Sequence, residues 1–325
     1  MKNKKIIIGS RGSKLAILYA EKAKKSILKN NPELNKDLLD IKIIKTTGDI
    51  YQTQRLSDIG GKGLFSKKIE EQLLNKNIDI AVHALKDLPS IETKNLIVDV
   101  YLKRADPREI LISKNNKNFY ELENKSIIGT SSFRREAQIK QLRKDLITKL
   151  IRGNVDTRIK KLEGNEYDAI ILAFAGIKML GKKEKISQIF SVKEILPSVG
   201  QGIIAIQSRI NDKKINNIIK KVNHKETYLC ALAEREMLKV LVGDCETAVA
   251  GLATVKNKKI FLNCELFSID GKKKFIFNIN GKKNEAYNIG NPDTEIAIKD
   301  LASILVNLFP KKQLKIKNKF KTKNI

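Results

Sequence analysis

Lys5-Ile6-Ile7-Ile8-Gly9-Ser10-Arg11-Gly12-Ser13 and Ser126-Ile127-Ile128-Gly129-Thr130-Ser131-Ser132-Phe133-Arg134-Arg135 follow one pattern. In each, a short β-branched run ends at glycine and a Ser/Thr turn opens a segment with helical spacing. Strand, turn, helix is the unit of an α/β fold, and its recurrence about 120 residues on marks two related domains. Around these anchors, Ile/Val-rich runs predict strands at 5–9, 39–45, 78–82, 97–102, 110–113, 126–129, 149–151, 169–173 and 203–207. Amphipathic spacing predicts helices at 13–29, 65–75, 133–142, 155–163, 213–222 and 226–241. Beyond Cys245 the pattern changes to a strand-rich meander at 248–255, 259–267 and 274–280, closed by a helix at 294–308, which reads as a third unit.

A strand that stops at a Ser/Thr turn leaves backbone N–H groups pointing outward at the positive end of the next helix, a ready anion site. Serine and threonine also cap helices wherever they occur, so each turn alone fits either role. A third turn, Arg152-Gly153-Asn154, precedes the helix that carries Arg158. Three such turns in one chain point to an elongated or multiply charged anion.

The 325 residues exceed one ordinary domain, and a formal charge of +28 raises the question of nucleic acid. The excess is 53 lysines against 11 arginines, spread along the chain and into the Lys-rich tail at 311–323, as a solvated coat would be. No nucleic-acid partner is expected. Five of the 11 arginines, Arg11, Arg134, Arg135, Arg152 and Arg158, fall in the turns or the helix starts after them. Arginine offers a planar fork that pairs with carboxylate or phosphate in a way lysine does not. After the basic first residues the apolar run Ile6-Ile7-Ile8 is too short for an export signal, and no stretch approaches a membrane span. Cys230, Cys245 and Cys264 are widely spaced and form no CxxC pair. Disulfides and metal are therefore not expected, and a reducing cytoplasm is the expected setting.

Two further stretches carry chemistry. In Asp79-Ile80-Ala81-Val82-His83-Ala84-Leu85-Lys86-Asp87-Leu88-Pro89 an apolar strand delivers His83, Lys86 and Asp87 at its end, where open α/β sheets bind ligands. Asp87 fits a turn residue before proline, and equally a carboxylate that holds a developing cation or passes a proton. His83 reads as a strand-end or core histidine. Gly243-Asp244-Cys245-Glu246-Thr247 puts one thiol in a tight polar turn, whereas Cys230 falls in a helical pattern and Cys264 in a strand pattern.

Together these stretches resemble one family, porphobilinogen deaminase, over nearly the whole chain. The resemblance runs through Ile8-Gly9-Ser10-Arg11-Gly12-Ser13, Gly60-Gly61-Lys62-Gly63-Leu64-Phe65, the 79–89 stretch and Ile128-Gly129-Thr130-Ser131-Ser132-Phe133-Arg134-Arg135. It continues through Arg152-Gly153-Asn154-Val155-Asp156-Thr157-Arg158, Tyr167-Asp168-Ala169-Ile170-Ile171-Leu172-Ala173, Leu196-Pro197-Ser198-Val199-Gly200-Gln201-Gly202 and Gly243-Asp244-Cys245, in the family's order.

The resemblance implies a transferase of tetrapyrrole (heme) biosynthesis. It would condense four porphobilinogen units head to tail into hydroxymethylbilane, releasing ammonia at each addition. The chain would grow on one dipyrromethane cofactor, held by a thioether to Cys245. Each pyrrole carries an acetate and a propionate, so an extended chain presents about ten to twelve carboxylates, which only many cationic and N–H donors hold. By motif, Asp87 matches the catalytic aspartate, which stabilises the azafulvene-like cation left when ammonia departs. Cys245, Lys86, Asp87, Thr130, Ser131, Ser132, Arg134, Arg135 and Gly176 match cofactor-binding positions. Arg11, Ser13, Lys62, Phe65, Arg152, Gly153, Asn154, Arg158 and Gln201 match substrate-binding ones, with Lys62 and Phe65 in a mobile loop over the cleft. The implied fold is two periplasmic-binding-protein-like (type II) α/β domains plus a smaller C-terminal α/β domain with a mostly antiparallel sheet. The first would span 1–104 with 200–220, the second 105–199 and the third 221–325. The family also implies a monomer.

Tyr19, Asp58, Ala84, Met179 and Ala248 depart from the family's frequent residues, which are glutamine, lysine, serine, arginine and proline respectively. The loss of a cation at Met179 bears on substrate affinity and not on reaction type. The alternative from another class is a non-catalytic solute- or effector-binding protein of the same paired-domain fold.

Overall fold

The structure, a computed structural model, describes residues 5–46, 63–241, 248–268, 273–283 and 286. β1 (Ile6–Arg11) runs into α1 (Lys14–Asn30), whose cap Ser13 accepts from Ala16 N at 3.3 Å. Then come β2 (Leu39–Ile44), α2 (Gly63–Leu74), β3 (Ile80–Ala84), β4 (Leu96–Tyr101) and β5 (Glu109–Ser113). β6 (Ile127–Gly129) leads into α3 (Phe133–Leu142), again capped by a serine, Ser132. β7 (Ile147–Lys149), α4 (Val155–Glu163), β8 (Ala169–Ala173), α5 (Phe174–Met179) and β9 (Gln188–Ile189) follow. β10 (Ile204–Arg209), α6 (Lys213–Lys220) and α7 (Lys225–Val240) lead to a meander of β11 (Ala248–Lys256), β12 (Lys259–Phe267) and β13 (Lys274–Lys282).

The recurrence seen in the sequence extends to topology. One five-stranded sheet has the order β2-β1-β3-β10-β4 and the other β7-β6-β8-β5-β9. β1 is parallel to β2 and β3, and β6 is parallel to β7 and β8. β10 is antiparallel to β3 and β4, as β5 is to β8 and β9. Each sheet thus takes its one reversed strand from chain that has just crossed over from the other sheet. This is the expected pair of type II α/β domains joined by two crossovers.

Both faces of the first sheet are covered, as a largely parallel sheet requires. Ile6 and Ile8 pack with Ala20, Ala23 and Ile27, an i, i+3, i+7 stripe of α1, while Ile44 and Ala81 meet Ile69 and Leu73 of α2 on the other face. The second sheet is filled in the same way, by Ile159 and Leu162 of α4 on one side and by Ile139 of α3 with Phe119 and Phe190 on the other. The third sheet, β11-β12-β13, is wholly antiparallel and buries Leu262, Cys264 and Leu266 with Met237 and Leu238 of α7.

The two crossovers touch. Ala105 N donates to Gly202 O at 2.9 Å, and Gly202 has φ +80° with a Cβ position 2.6 Å from Ala105 O, so only glycine fits there. α7 locks this junction through Glu234, which is fully buried. Its carboxylate accepts from Arg104 Nη1 at 2.5 Å, Gly200 N at 2.6 Å and Ala253 N at 2.7 Å, and so joins both crossovers to β11.

Three elements differ from expectation. The strand expected at 149–151 is β7, two residues earlier, because register with β6 pairs Ile127 with Ile147 and Gly129 with Lys149. The apolar Ile151 that suggested the later position lies after the strand, against Gly129. β9 and α5 were not expected: β9 has two residues, and α5 is short with a central glycine, so neither shows a period. The expected helix at 294–308 lies outside the described residues.

Candidate active site

β6 ends at Gly129 and delivers its turn as the sequence suggested, whereas β1 runs two residues beyond the expected Gly9, so that Arg11 is the last residue of the strand, paired with Ile44, and not part of the turn. After β6, Thr130 is buried and its Oγ1 accepts from Ser132 N at 3.2 Å, while Ser132 Oγ accepts from Arg135 N at 3.4 Å. These hydroxyls and that of Ser13 therefore do cap. The arginines beside them are buried, Arg134 at 5% exposure and Arg135 at 7%.

What holds the two guanidiniums is Glu109, at the start of β5 and fully buried. Oε1 accepts from Arg134 Nη2 at 2.6 Å and Oε2 from Arg135 Nη2 at 2.8 Å. Burial works to raise its carboxyl pKa, but the charges of Arg135 and Arg134 prevail and hold it down at about 2. Arg134 Nη1 also donates to Leu196 O at 2.9 Å, and Arg135 Nη1 to Ile171 O at 3.0 Å. Their Nε atoms are buried without a hydrogen-bond partner. Buried charged donors left in this way are costly, so each suits an acceptor that a ligand brings.

β3 ends in the helical turn Leu85–Asp87, with Lys86 and Asp87 half-buried. Asp87 interacts electrostatically with Lys86, His83 and Tyr19 of its own half and with Arg158 of the other. Burial pushes Lys86 below its ordinary value. It pushes Arg158 down to about 10, helped by the charges of Arg135 and Arg152. Arg152 is lowered by burial and by the charge of Arg11. Six cations, Arg11, Lys86, Arg134, Arg135, Arg152 and Arg158, thus share one region with two carboxylates, Asp87 and Glu109. Such an excess of positive charge in a partly desolvated place fits a polyanion.

Other expected residues take supporting places. Gly153 has φ +109°, its Cβ position lies 2.7 Å from Thr157, and its carbonyl accepts from Arg158 Nε at 2.9 Å, so it shapes the turn that aims Arg158. Asn154 is exposed and caps α4 without a side-chain bond, and Ser131 is half-buried. Gly176 lets α5 approach α1, since its Cβ position is 3.3 Å from Leu15 Cδ2. Gln201 is fully buried; its Oε1 accepts from Lys86 Nζ at 3.2 Å and its Nε2 donates to Pro107 O at 2.7 Å. His83 lies in a buried chain, with Nε2 3.1 Å from Gln207 Oε1 and Gln207 Nε2 donating to Glu70 at 2.9 Å. Burial lowers it to about 4, so it is neutral, as a core histidine should be.

Lys62, Cys245 and the side chain of Phe65 lie outside the described residues. Ala248, three residues after Cys245, packs against Ala137 and Phe133 of α3, the helix that carries Arg134 and Arg135. Cys230 and Cys264 are buried and their thiols are pushed up to about 12 by burial, which leaves them protonated and inert. Among the described residues no cluster of three or more His, Cys, Asp or Glu could hold a metal. Among the same residues no helix is long and apolar enough to cross a membrane.

Glu109 and Gln138 were missed from sequence. The available signal was a carboxylate heading the apolar run Ile110-Leu111-Ile112, where an acid persists only with buried cations.

Residues 6–217 match the family model described as porphobilinogen deaminase, dipyromethane cofactor binding domain, and residues 228–295 match porphobilinogen deaminase, C-terminal domain. The chain is 40% identical over 270 residues to a porphobilinogen deaminase of Chlorobium phaeovibrioides, covering 83% of this chain and 85% of that relative. It is 42% identical over 268 residues to one of Syntrophomonas wolfei, covering 82% and 87%. Among solved structures it is similar to the probable amino-acid ABC transporter extracellular-binding protein YtmK of Bacillus subtilis, with TM-score 0.40, 14% identity and coverage of 67% and 90%. That likeness is too low to add to the topology described above.

Proposed function

The chain belongs to the porphobilinogen deaminase family, and on that premise we propose how its own residues perform the reaction. It is a transferase of tetrapyrrole biosynthesis that joins porphobilinogen units and releases ammonia, with a dipyrromethane cofactor. Membership sets aside the non-catalytic solute-binding alternative. When bound, the dipyrromethane supplies the nucleophilic pyrrole carbon on which the chain is built.

The observation that carries the site reading is the position of Asp87, a half-buried carboxylate set among cations from both halves. A substrate with two carboxylates is drawn in by Arg11, Arg152 and Arg158. Its pyrrole N–H then meets Asp87, the one carboxylate among the described cleft residues not bound to an arginine pair, which stabilises the positive charge that grows as ammonia leaves. Asp87 also accepts and returns the protons that each addition displaces. Lys86, Arg134, Arg135, Thr130, Ser131 and Ser132 hold the cofactor's acetates and propionates, for which the unpartnered Nε donors of Arg134 and Arg135 are suited. Gly176 leaves room beside α1, while Ser13, Gly153 and Asn154 shape the substrate turns, and Lys62 and Phe65 bind substrate. Gln201 positions Lys86. Cys245 is the covalent anchor.

In this reading the cleft is formed by one domain of residues 1–104 with 200–220 and another of 105–199. Residues 221–325 form the third domain, which presents the anchor. The enzyme works as a monomer in the cytoplasm, where unpaired Cys230 and Cys264 stay reduced. Asp87→Asn and Asp87→Ala test the central role. Ammonia release should fall about 100-fold or more with an unchanged melting temperature, and near-normal release would remove Asp87 from the chemistry.

A further inference from the structure

Gln138 lies one turn after Arg134 on α3 and is 2% exposed. Its Oε1 accepts from Arg134 Nη1 at 3.2 Å. Its Nε2 donates to Leu196 O at 3.1 Å and to Glu265 Oε2, on β12, at 2.9 Å. The amide orientation is fixed by chemistry, because a guanidinium only donates while a carbonyl and a carboxylate only accept. The other oxygen of Glu265 is held by Lys274 of β13 at 2.6 Å. A continuous chain therefore runs Lys274, Glu265, Gln138, Arg134, Glu109, Arg135, from the edge of the third sheet to both arginines beside the cleft.

Around this chain the contact between α3 and the third sheet is apolar: Ala137 and Phe133 meet Ala248 and Phe267. Apolar contacts are non-directional, whereas a buried amide shared by three partners has one position. The crossover segment is held at the same place, by Gly251 N donating to Pro197 O at 2.9 Å and by Leu196 packed on Ala250 and Leu252.

We propose that Gln138 is a positioning residue that couples docking of the third sheet, through Glu265, to the orientation of Arg134. This rests on the reading that Arg134 holds cofactor carboxylates. The sheet that follows the anchoring cysteine in the chain and the arginine that grips the anchored group are then set by one amide. An error in docking becomes an error in where the reacting end of the growing chain lies. Because incoming substrate is bound by other arginines, disturbing Gln138 lowers kcat and leaves KM nearly unchanged.

The test is Gln138→Glu, Glu265→Gln and the double variant in the holoenzyme. Gln138→Glu puts two carboxylates face to face, and kcat for porphobilinogen should fall about 10- to 100-fold with KM within about threefold. Glu265→Gln alone leaves one acceptor oxygen for two donors, Gln138 Nε2 and Lys274 Nζ, and should lower kcat less than Gln138→Glu does, because Lys274 is part exposed and can turn to water. The double variant restores a donor–acceptor pair of reversed polarity between positions 138 and 265 but not the donor to Leu196 O, and should recover kcat at least about threefold above Gln138→Glu without reaching wild type. Amide hydrogen exchange, read independently of turnover, should quicken in both α3 and β12 of Gln138→Glu and return toward normal in the double variant. If Gln138→Glu does not fold, recovery of fold and kcat in the double variant supports the coupling. A folded Gln138→Glu with normal kcat, a raised KM at unchanged kcat, or a double variant that is unfolded or no faster than Gln138→Glu overturns it. Denatured intact mass is read for every variant: a wild-type protein without dipyrrole mass would instead refute the cofactor site, separately from the coupling.

Discussion

Lys86 Nζ donates to Gln201 Oε1 across 3.2 Å, so the cation beside Asp87 is held from the second crossover and not by its own strand alone. Gln201 in turn donates to Pro107 O of the first crossover at 2.7 Å, and one buried amide therefore links both crossovers to the site. Gln201→Leu strands an ammonium and a carbonyl. Each orphaned group costs about 1–3 kcal/mol, so the melting temperature should drop by several degrees and turnover should fall with it. Thermal unfolding and kcat measured together check this. Unchanged values in both would show that Lys86 is positioned by something else.

Arg104 and Glu234 make the second such link, and theirs is ionic. Glu234 is fully buried with three donors aimed at it, from Arg104, Gly200 and Ala253. Glu234→Leu leaves the Arg104 guanidinium buried without its counter-ion, which costs about 3–5 kcal/mol. Arg104→Lys retains charge but loses the fork that also reaches Gln201 O at 2.9 Å, and it should cost less than the Glu234 change. Denaturant unfolding at neutral pH orders the two. Arg104→Lys proving the worse would mean that the fork geometry outweighs the charge.

Acid should lower the stability of the protein through two pH windows. His83 titrates near 6.5 when unfolded and about 4 when folded, so stability present above pH 6.5 is lost as pH falls toward 4. The loss is about 3 kcal/mol for that shift. Glu109, at about 2 folded against 4.5 unfolded, contributes stability present above pH 4.5 that is lost as pH falls toward 2. Stability measured against pH should therefore decline through the first window in the wild type and stay flatter there in His83→Gln. An equally steep decline in that variant would show that other groups govern the first window.

Much of this was legible in the chain, for reasons that differ by residue. Gly129 ends β6 before a serine-capped helix, and α3 and α4 occupy 133–142 and 155–163 as their spacing indicated. Local pattern suffices where a segment's own period decides its state. β7 slipped because an edge strand with Ile147 exposed takes its register from its partner and not from its own apolar residues. Asp87 and the arginines were legible because they sit at strand ends and turns. Gln138 and Glu234 were not, since a buried polar residue inside a helix declares itself only through partners far away in sequence, and Glu109 left only the sign of an acid heading an apolar run. Gln138 to Glu265 spans 127 positions. His83 was read correctly as a core residue for the converse reason, that an apolar strand on both sides leaves it nowhere else to go.

The proposed attachment of the primer to Cys245 adds mass to the chain. Denatured, reduced intact mass measures it directly. The expected result is a mass above that of the polypeptide by one dipyrrole, retained in Cys230→Ala and Cys264→Ala and absent from Cys245→Ala. An unmodified wild-type protein that gains no mass on incubation with porphobilinogen, or a Cys245→Ala variant that keeps the extra mass, would contradict it.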